Sequence, residues 1–185
     1  AIGDYLVTKR PGVVYMQNSG LGNVVNPISS LADPAVYGIP MMLVIGWRGE
    51  PGVKDEPQHV KQGEITLGQL NILNIPFAII SKDTDIASTV NNLWKMMIHR
   101  QGPVALVVRK GAIGGDYPVD KKVTESALKR EKALEVLINT LPKDTFFVAT
   151  TGKTGRELFE LREAADAEQR DFLTVGGMGH ASCIA

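Results

Sequence analysis

The chain has 185 residues, 20 Lys and Arg against 20 Asp and Glu for a formal net charge of +0, and 44% hydrophobic residues. A neutral chain without a basic stripe argues against nucleic-acid binding, which rests on phosphate contacts. The composition is that of a globular chain long enough for one domain or two small ones.

The longest apolar run, Met41–Ile45, falls far short of the about 20 residues that a membrane span needs. The N-terminus has no basic segment followed by an apolar core, the mark of a signal peptide. The single cysteine, Cys183, excludes an internal disulfide and fits a reducing, cytoplasmic setting.

In chain order, residues 1–7 follow a helical pattern with no capping residue ahead of them. Val13–Gln17 reads as a buried strand, followed by the loop Asn18-Ser19-Gly20-Leu21-Gly22-Asn23 and a helical stretch to about Asp33. Met41–Gly46 is a second strand, with Pro40 at its entry. Residues 47–58 form a polar, turn-rich loop of a length at which loops are usually functional or disordered. Helix returns over 63–74, then strand Phe77–Ile80, a helix Asp83–Arg100 capped near Asp83 or Asp85, and strand Val104–Val108. Continuous apolar strands alternating with helices predict an α/β fold whose parallel sheets are covered on both faces.

Residues 110–123 break this rhythm with glycines, a proline and charges, and read as a linker. A second α/β unit follows: helix 124–141 behind Thr124, strand Thr145–Ala149, helix 154–168 and strand Phe172–Val175. The predicted layout is one domain over 1–110, a linker over 111–123 and the start of another domain over 124–185. The last residues, Gly179 to Ala185, read as a helix begun and stopped. Both ends therefore read as cut through helices, and the expectation is a piece of a longer protein.

Three loops at carboxyl ends of predicted strands, where open α/β sheets bind ligands, carry the candidate chemistry. Around Gly20 and Gly22, backbone N–H groups could approach an anion at a helix N-terminus, or the loop could simply be a tight turn. It is no dinucleotide fingerprint, since Val25 stands where the third glycine belongs. Thr150-Thr151-Gly152-Lys153-Thr154-Gly155 suggests a P-loop, but Phe147 occupies the position of its first glycine. A diphosphate on backbone donors remains one reading of that loop, and a Thr150 or Thr151 helix cap the other. Gly176-Gly177-Met178-Gly179 opens the backbone to a ligand and pushes one bulky side chain forward.

His59, beside Asp55 and Glu56, is a candidate proton shuttle or a solvated loop residue. His99, near a helix C-terminus, is structural. Trp47 and Trp94 read as core residues. The three histidines and one cysteine show no metal-ligand spacing, and no Gly-x-Ser-x-Gly elbow surrounds a serine.

Together these blocks resemble the thiamine-diphosphate-dependent 2-oxo acid decarboxylases. Val14–Asn23 with Asn26-Pro27 and Ser30–Pro34, and Ile45–Gly52 with Asp55–His59, are similar to that family's pyrimidine-binding domain. Thr151–Leu158 and Gly176–Ala181 are similar to the start of its diphosphate-binding domain. The resemblance implies that Gly152, Lys153 and Thr154 lie along the diphosphate. It implies that Gly176 offers its carbonyl to the cofactor's exocyclic amine and that Met178 is the wedge holding the cofactor bent. Asn18, Ser19, Gln58 and His59 would face the substrate, His59 relaying protons. Arg48 and Lys54, the cations of the long 47–58 loop, are the candidates for a phosphonate on it. Gly155 departs from the serine often found in the family and removes a hydroxyl from the diphosphate loop.

The family's catalytic glutamate is expected upstream of Ala1, and its Mg²⁺ motif downstream of Ala185. The expected whole protein is a homo-oligomeric carboxy-lyase acting on a small anionic 2-oxo acid with thiamine diphosphate and Mg²⁺. A phosphonate-bearing substrate is favoured and a sulfonate-bearing one is the alternative; a non-enzymatic phosphate-binding or assembly module is the rival of another class.

Overall fold

The computed structural model describes residues 1–115, 128–176 and 181–185. The chain divides into two compact units, Ala1–Tyr117 and Pro118–Ala185.

The first unit runs α1 (Ile2–Thr8), β1 (Gly12–Gln17), a 3₁₀ turn (Asn18–Gly20), α2 (Leu21–Pro27), a wider turn (Ile28–Ala32), β2 (Met41–Gly46), α3 (Pro57–Ile72), β3 (Phe77–Ile80), α4 (Ile86–Arg100) and β4 (Val104–Val108). Its four strands form one parallel sheet in the order β1-β2-β4-β3. The expected α/β class, with a parallel sheet flanked by helices, is borne out.

Side chains alternate across a sheet with a period of two, and the core divides accordingly. Met41, Leu43 and Ile45 of β2 and Ala105 and Val107 of β4 join Leu21, Ile28 and Leu70 on the face covered by α2 and α3. Met42, Val104 and Leu106 point the other way, to Ile80, Leu93 and Met97. Each of the Val, Leu, Ile and Met side chains among them contributes about 1.5–3 kcal/mol on burial. Leu93 and Met97, one helical turn apart, are how α4 grips its face.

β1 departs from the expected buried strand. Val14 and Met16 pack on the first core, while Val13 and Tyr15 are exposed. β1 is an edge strand, and α4 packs chiefly on β2, β3 and β4 on that face. Trp94 is likewise no core residue: it lies on the outer side of α4, 41% exposed, whereas Trp47 is buried.

α3 begins at Pro57, well before the expected residue 63, because proline is pre-set for the first helical turn and its missing N–H costs nothing there. Gln58 and His59 therefore stand on a helix and not on a loop. α4 starts after Asp85, whose carboxylate accepts from the Ser88 N–H at 3.1 Å, so the expected capping aspartate is the second of the two.

The second unit contains α5 (Arg130–Thr140), β5 (Val148–Ala149), α6 (Lys153–Ala164), β6 (Phe172–Leu173) and α7 (Ala181–Ile184). Each is shorter than the sequence suggests. α5 starts after Lys129, and the remainder of its expected first turn lies outside the described residues. α6 stops at Ala164, just ahead of Asp166 at φ +48°. β5 and β6 pair in parallel over two residues each, and a buried ion pair steadies them. Arg162 donates to Asp171 through Nε at 2.9 Å and Nη2 at 3.1 Å, and Asp171 also accepts the Phe147 N–H at 3.0 Å.

Candidate functional site

In the first unit, register sets a level rim. Gln17 pairs with Gly46, Gly46 with Val108 and Val108 with Ile80, so the four strands end together. The chain leaves this rim through Asn18, Trp47, Arg109 and Ser81. A cleft of about 220 Å³ opens there, lined by Tyr15, Gln17, Arg48, Arg109 and Lys110 among others.

Asn18 is fully buried. Its amide donates to the Arg48 carbonyl at 2.8 Å and to the Thr66 hydroxyl at 2.9 Å, and its Oδ1 accepts the Arg48 N–H at 3.2 Å. The side chain therefore braces β1, the loop after β2 and α3 together. Ser19 donates to Gln17 Oε1 at 2.7 Å.

The 48–56 loop is closed by one carboxylate that the sequence reading did not single out. Asp55 takes both Nε (2.8 Å) and Nη2 of Arg48, together with the backbone N–H groups of Gly49 and Glu56 at 2.8 Å each. Those donors hold its carboxyl far below the ordinary range, with the Arg48 guanidinium the largest cause, and Asp55 in turn raises Arg48. The available signal was an aspartate seven residues after an arginine, across a Gly-Glu-Pro-Gly turn.

Behind the loop, Trp47 donates from its indole to the Gly63 carbonyl at 3.0 Å. Gly49 lies against the backbone of His59 and Gly63. Gln58 and His59 are half-buried on the first turn of α3, and Gln58 Oε1 is shielded with no partner among the described residues. Lys54 is exposed and does not line the cleft. Arg109 and Lys110 do line it and were missed, since only strand pairing brings β4 beside β2.

In the second unit, the parallel pairing of β5 and β6 brings the 150–152 loop beside the residues that follow β6, up to Gly176. Thr151 Oγ1 donates to the Val175 carbonyl at 2.8 Å, fastening the 150–152 loop to the residue before Gly176. Gly152 caps α6 at φ +104°, with nothing within 4 Å of where a Cβ would stand. Neither Thr150 nor Thr151 caps α6 with its side chain.

Glu157 is bidentate to Arg130, at 2.6 Å for each bond, and that guanidinium lowers its carboxyl below the ordinary range. Lys153, on the first turn of α6, forms no ion pair among the described residues. Thr174 Oγ1, at the end of β6, is shielded without a partner among the described residues. A helix N-terminus with open backbone, a neighbouring ammonium and an orphaned hydroxyl suits a phosphate-bearing group. Met178 lies outside the described residues, as do Gly177, Gly179 and His180. Among the described residues no cluster of His, Cys, Asp and Glu forms a metal centre, and no helix is long and apolar enough to cross a membrane.

No family model matches the chain. Curated relatives do. The chain is 35% identical over 94% of its length to a phosphonopyruvate decarboxylase of Streptomyces viridochromogenes and 33% identical to one of Streptomyces hygroscopicus, covering 46% of each. It is 32% identical, over 58% of its length, to the sulfopyruvate decarboxylase subunit alpha of Methanothermobacter thermautotrophicus, covering 63% of that protein. The chain thus spans about half the length of the phosphonopyruvate decarboxylases it matches. The resemblance drawn from its motifs is borne out by these relatives.

Proposed function

We propose that this chain, a relative of phosphonopyruvate decarboxylases over nearly all its length, is part of a thiamine-diphosphate-dependent enzyme converting phosphonopyruvate to phosphonoacetaldehyde and CO₂. Residues 1–110 are its pyrimidine-binding part, 111–123 a linker and 124–185 the start of its diphosphate-binding part. The observation that carries the reading lies in the second unit: an open, glycine-capped helix N-terminus whose loop is hydrogen-bonded to Val175, the residue before Gly176. The enzyme is cytoplasmic and homo-oligomeric in this reading.

Thiamine diphosphate, with Mg²⁺ on its phosphates, supplies the electron sink that makes loss of CO₂ possible. The chain's own residues bind and orient. The N-terminal backbone of α6 at Gly152 and Thr154, with the Lys153 ammonium, holds the diphosphate. Thr151 keeps that loop at a fixed distance from Gly176, whose carbonyl receives the cofactor's amine. Met178 is assigned the wedge from its place in the motif.

At the first unit's rim, Arg48 takes the substrate's phosphonate, its guanidinium held by Asp55, with Lys54 on the outer side of the same loop. Ser19 and Gln58 orient the 2-oxo acid, and His59 moves the proton that replaces the lost carboxylate. Asn18 acts through Arg48, fixing its backbone.

The test is turnover by the whole protein with thiamine diphosphate and Mg²⁺, offered phosphonopyruvate and sulfopyruvate side by side. CO₂ release favouring phosphonopyruvate is the expected result. Preference for sulfopyruvate moves the assignment to the substrate named for the Methanothermobacter relative. No release from either overturns it.

A further inference from the structure

Arg48 has a second wall facing it. The cleft at the carboxyl rim is bounded on the β4 side by Arg109 and Lys110, and neither Asp55 nor Glu50 lines it. Each arginine faces a carboxylate. Asp55 is hydrogen-bonded to Arg48, and Glu50, with a side chain only 12% exposed, is ion-paired with Arg109, its Oε1 2.8 Å from Nε. The Arg109 side chain makes no hydrogen bond to a described residue, so its terminal N–H groups remain available. Lys110 has no carboxylate partner among the described residues. Glu56, the remaining carboxylate beside Arg48, is exposed and outside the lining. Gln17 closes the floor: its Oε1 is already taken by Ser19, so its amide keeps two N–H donors.

A site with the remaining N–H groups of the Arg48 guanidinium on one side, the Arg109 guanidinium on the other, an ammonium and an amide N–H is rich in donors. It matches a tetrahedral dianion with three acceptor oxygens better than a planar carboxylate. Resting on the function proposed above, we propose that Arg109 and Lys110 are the specificity-determining residues that bind the substrate's phosphonate opposite Arg48. The phosphonate survives the reaction unchanged, whereas the carboxylate leaves as CO₂. Cations on the phosphonate bind ground state and transition state equally, so they lower KM without changing kcat.

The experiment compares the whole protein with Lys110→Met, whose side chain has no ion-pair partner among the described residues, and with Arg109→Met. Methylphosphonate serves as the probe, its affinity measured by calorimetry and its Ki against phosphonopyruvate by kinetics. Each variant is expected to weaken methylphosphonate and raise KM by at least about tenfold, the size of a lost charge-assisted bond, with kcat little changed. Unchanged methylphosphonate affinity in folded Lys110→Met overturns the assignment, as does a fall in kcat at constant KM. If the wild type turns over neither substrate, the proposed function fails, while calorimetry with methylphosphonate still decides whether this cleft is an anion site.

Discussion

Gly63 and Gly49 touch backbone to backbone: a Cβ on Gly63 would stand 1.6 Å from the Gly49 carbonyl oxygen. The contact continues along α3, because a Cβ on Gly49, itself at φ +67°, would stand 1.9 Å from the His59 carbonyl oxygen. In a free helix, Gly→Ala is favourable by about 0.5–1 kcal/mol. Here the sign reverses. Gly63→Ala is expected to cost about 3 kcal/mol or more, since the obstacle is backbone. Urea unfolding of the whole protein measures it; a neutral or stabilising result would show that the loop is not pressed against α3.

Gly155 is the opposite case. The atoms nearest its would-be Cβ, at Thr150, Leu173 and Ala149, lie 3.7 to 3.9 Å away, ordinary contact distances. Gly155→Ala should therefore stabilise α6 by up to about 1 kcal/mol. Gly155→Ser adds a hydroxyl near the proposed diphosphate site, and tighter binding of thiamine diphosphate with Mg²⁺ is expected from titration calorimetry.

Asp55 is held ionised by Arg48 and two backbone N–H groups, so its folded pKa lies below its unfolded one. Its contribution is then full above the unfolded carboxylate value of about 4 and is lost as pH falls through the folded value. Asp55→Asn should be less stable than wild type by about 1–3 kcal/mol at pH 6 to 7. That gap should close on acidification below about pH 4. A gap that widened in acid would refute the pairing.

Breaking the buried Arg162–Asp171 pair should be severe, because both side chains are almost fully enclosed, at 7% and 1% exposure. Asp171→Ala leaves the guanidinium unpaired and the Phe147 N–H unsatisfied, at a cost of about 3–5 kcal/mol. Differential scanning calorimetry would register this as a lowered Tm.

Arg48 lines the cleft and Lys54 does not. Arg48→Met is expected to raise KM for phosphonopyruvate by about tenfold or more, and Lys54→Met by clearly less. Steady-state kinetics at constant ionic strength separates the two. Equal effects would mean that the 48–56 loop turns Lys54 inward when substrate binds.

The strands β2, β3 and β4 lie where the apolar runs put them, because a strand buried on both faces leaves an uninterrupted hydrophobic word between Pro40 and Gly46 or between Pro103 and Arg109. β1 carries a similar word, yet half of it faces outward, since coverage of a sheet depends on how far a helix elsewhere reaches. The start of α3 was legible in Pro57 but masked by the polar residues around it. In the site, the glycine loops announced themselves through backbone freedom. Arg109, Lys110 and the Gly49–Gly63 contact did not, since strand pairing and helix docking bring them to their partners from 14 to 62 residues away.

Closure of the 48–56 loop by Asp55 has a kinetic side. Ordering a free backbone costs about 1–2 kcal/mol per residue, and this loop meets that cost before any ligand arrives. An anion reaching the rim should find Arg48 already aimed, so binding needs no conformational search. Its association rate should then depend on ionic strength, through attraction to the cations, and hardly at all on ligand-induced folding of the loop.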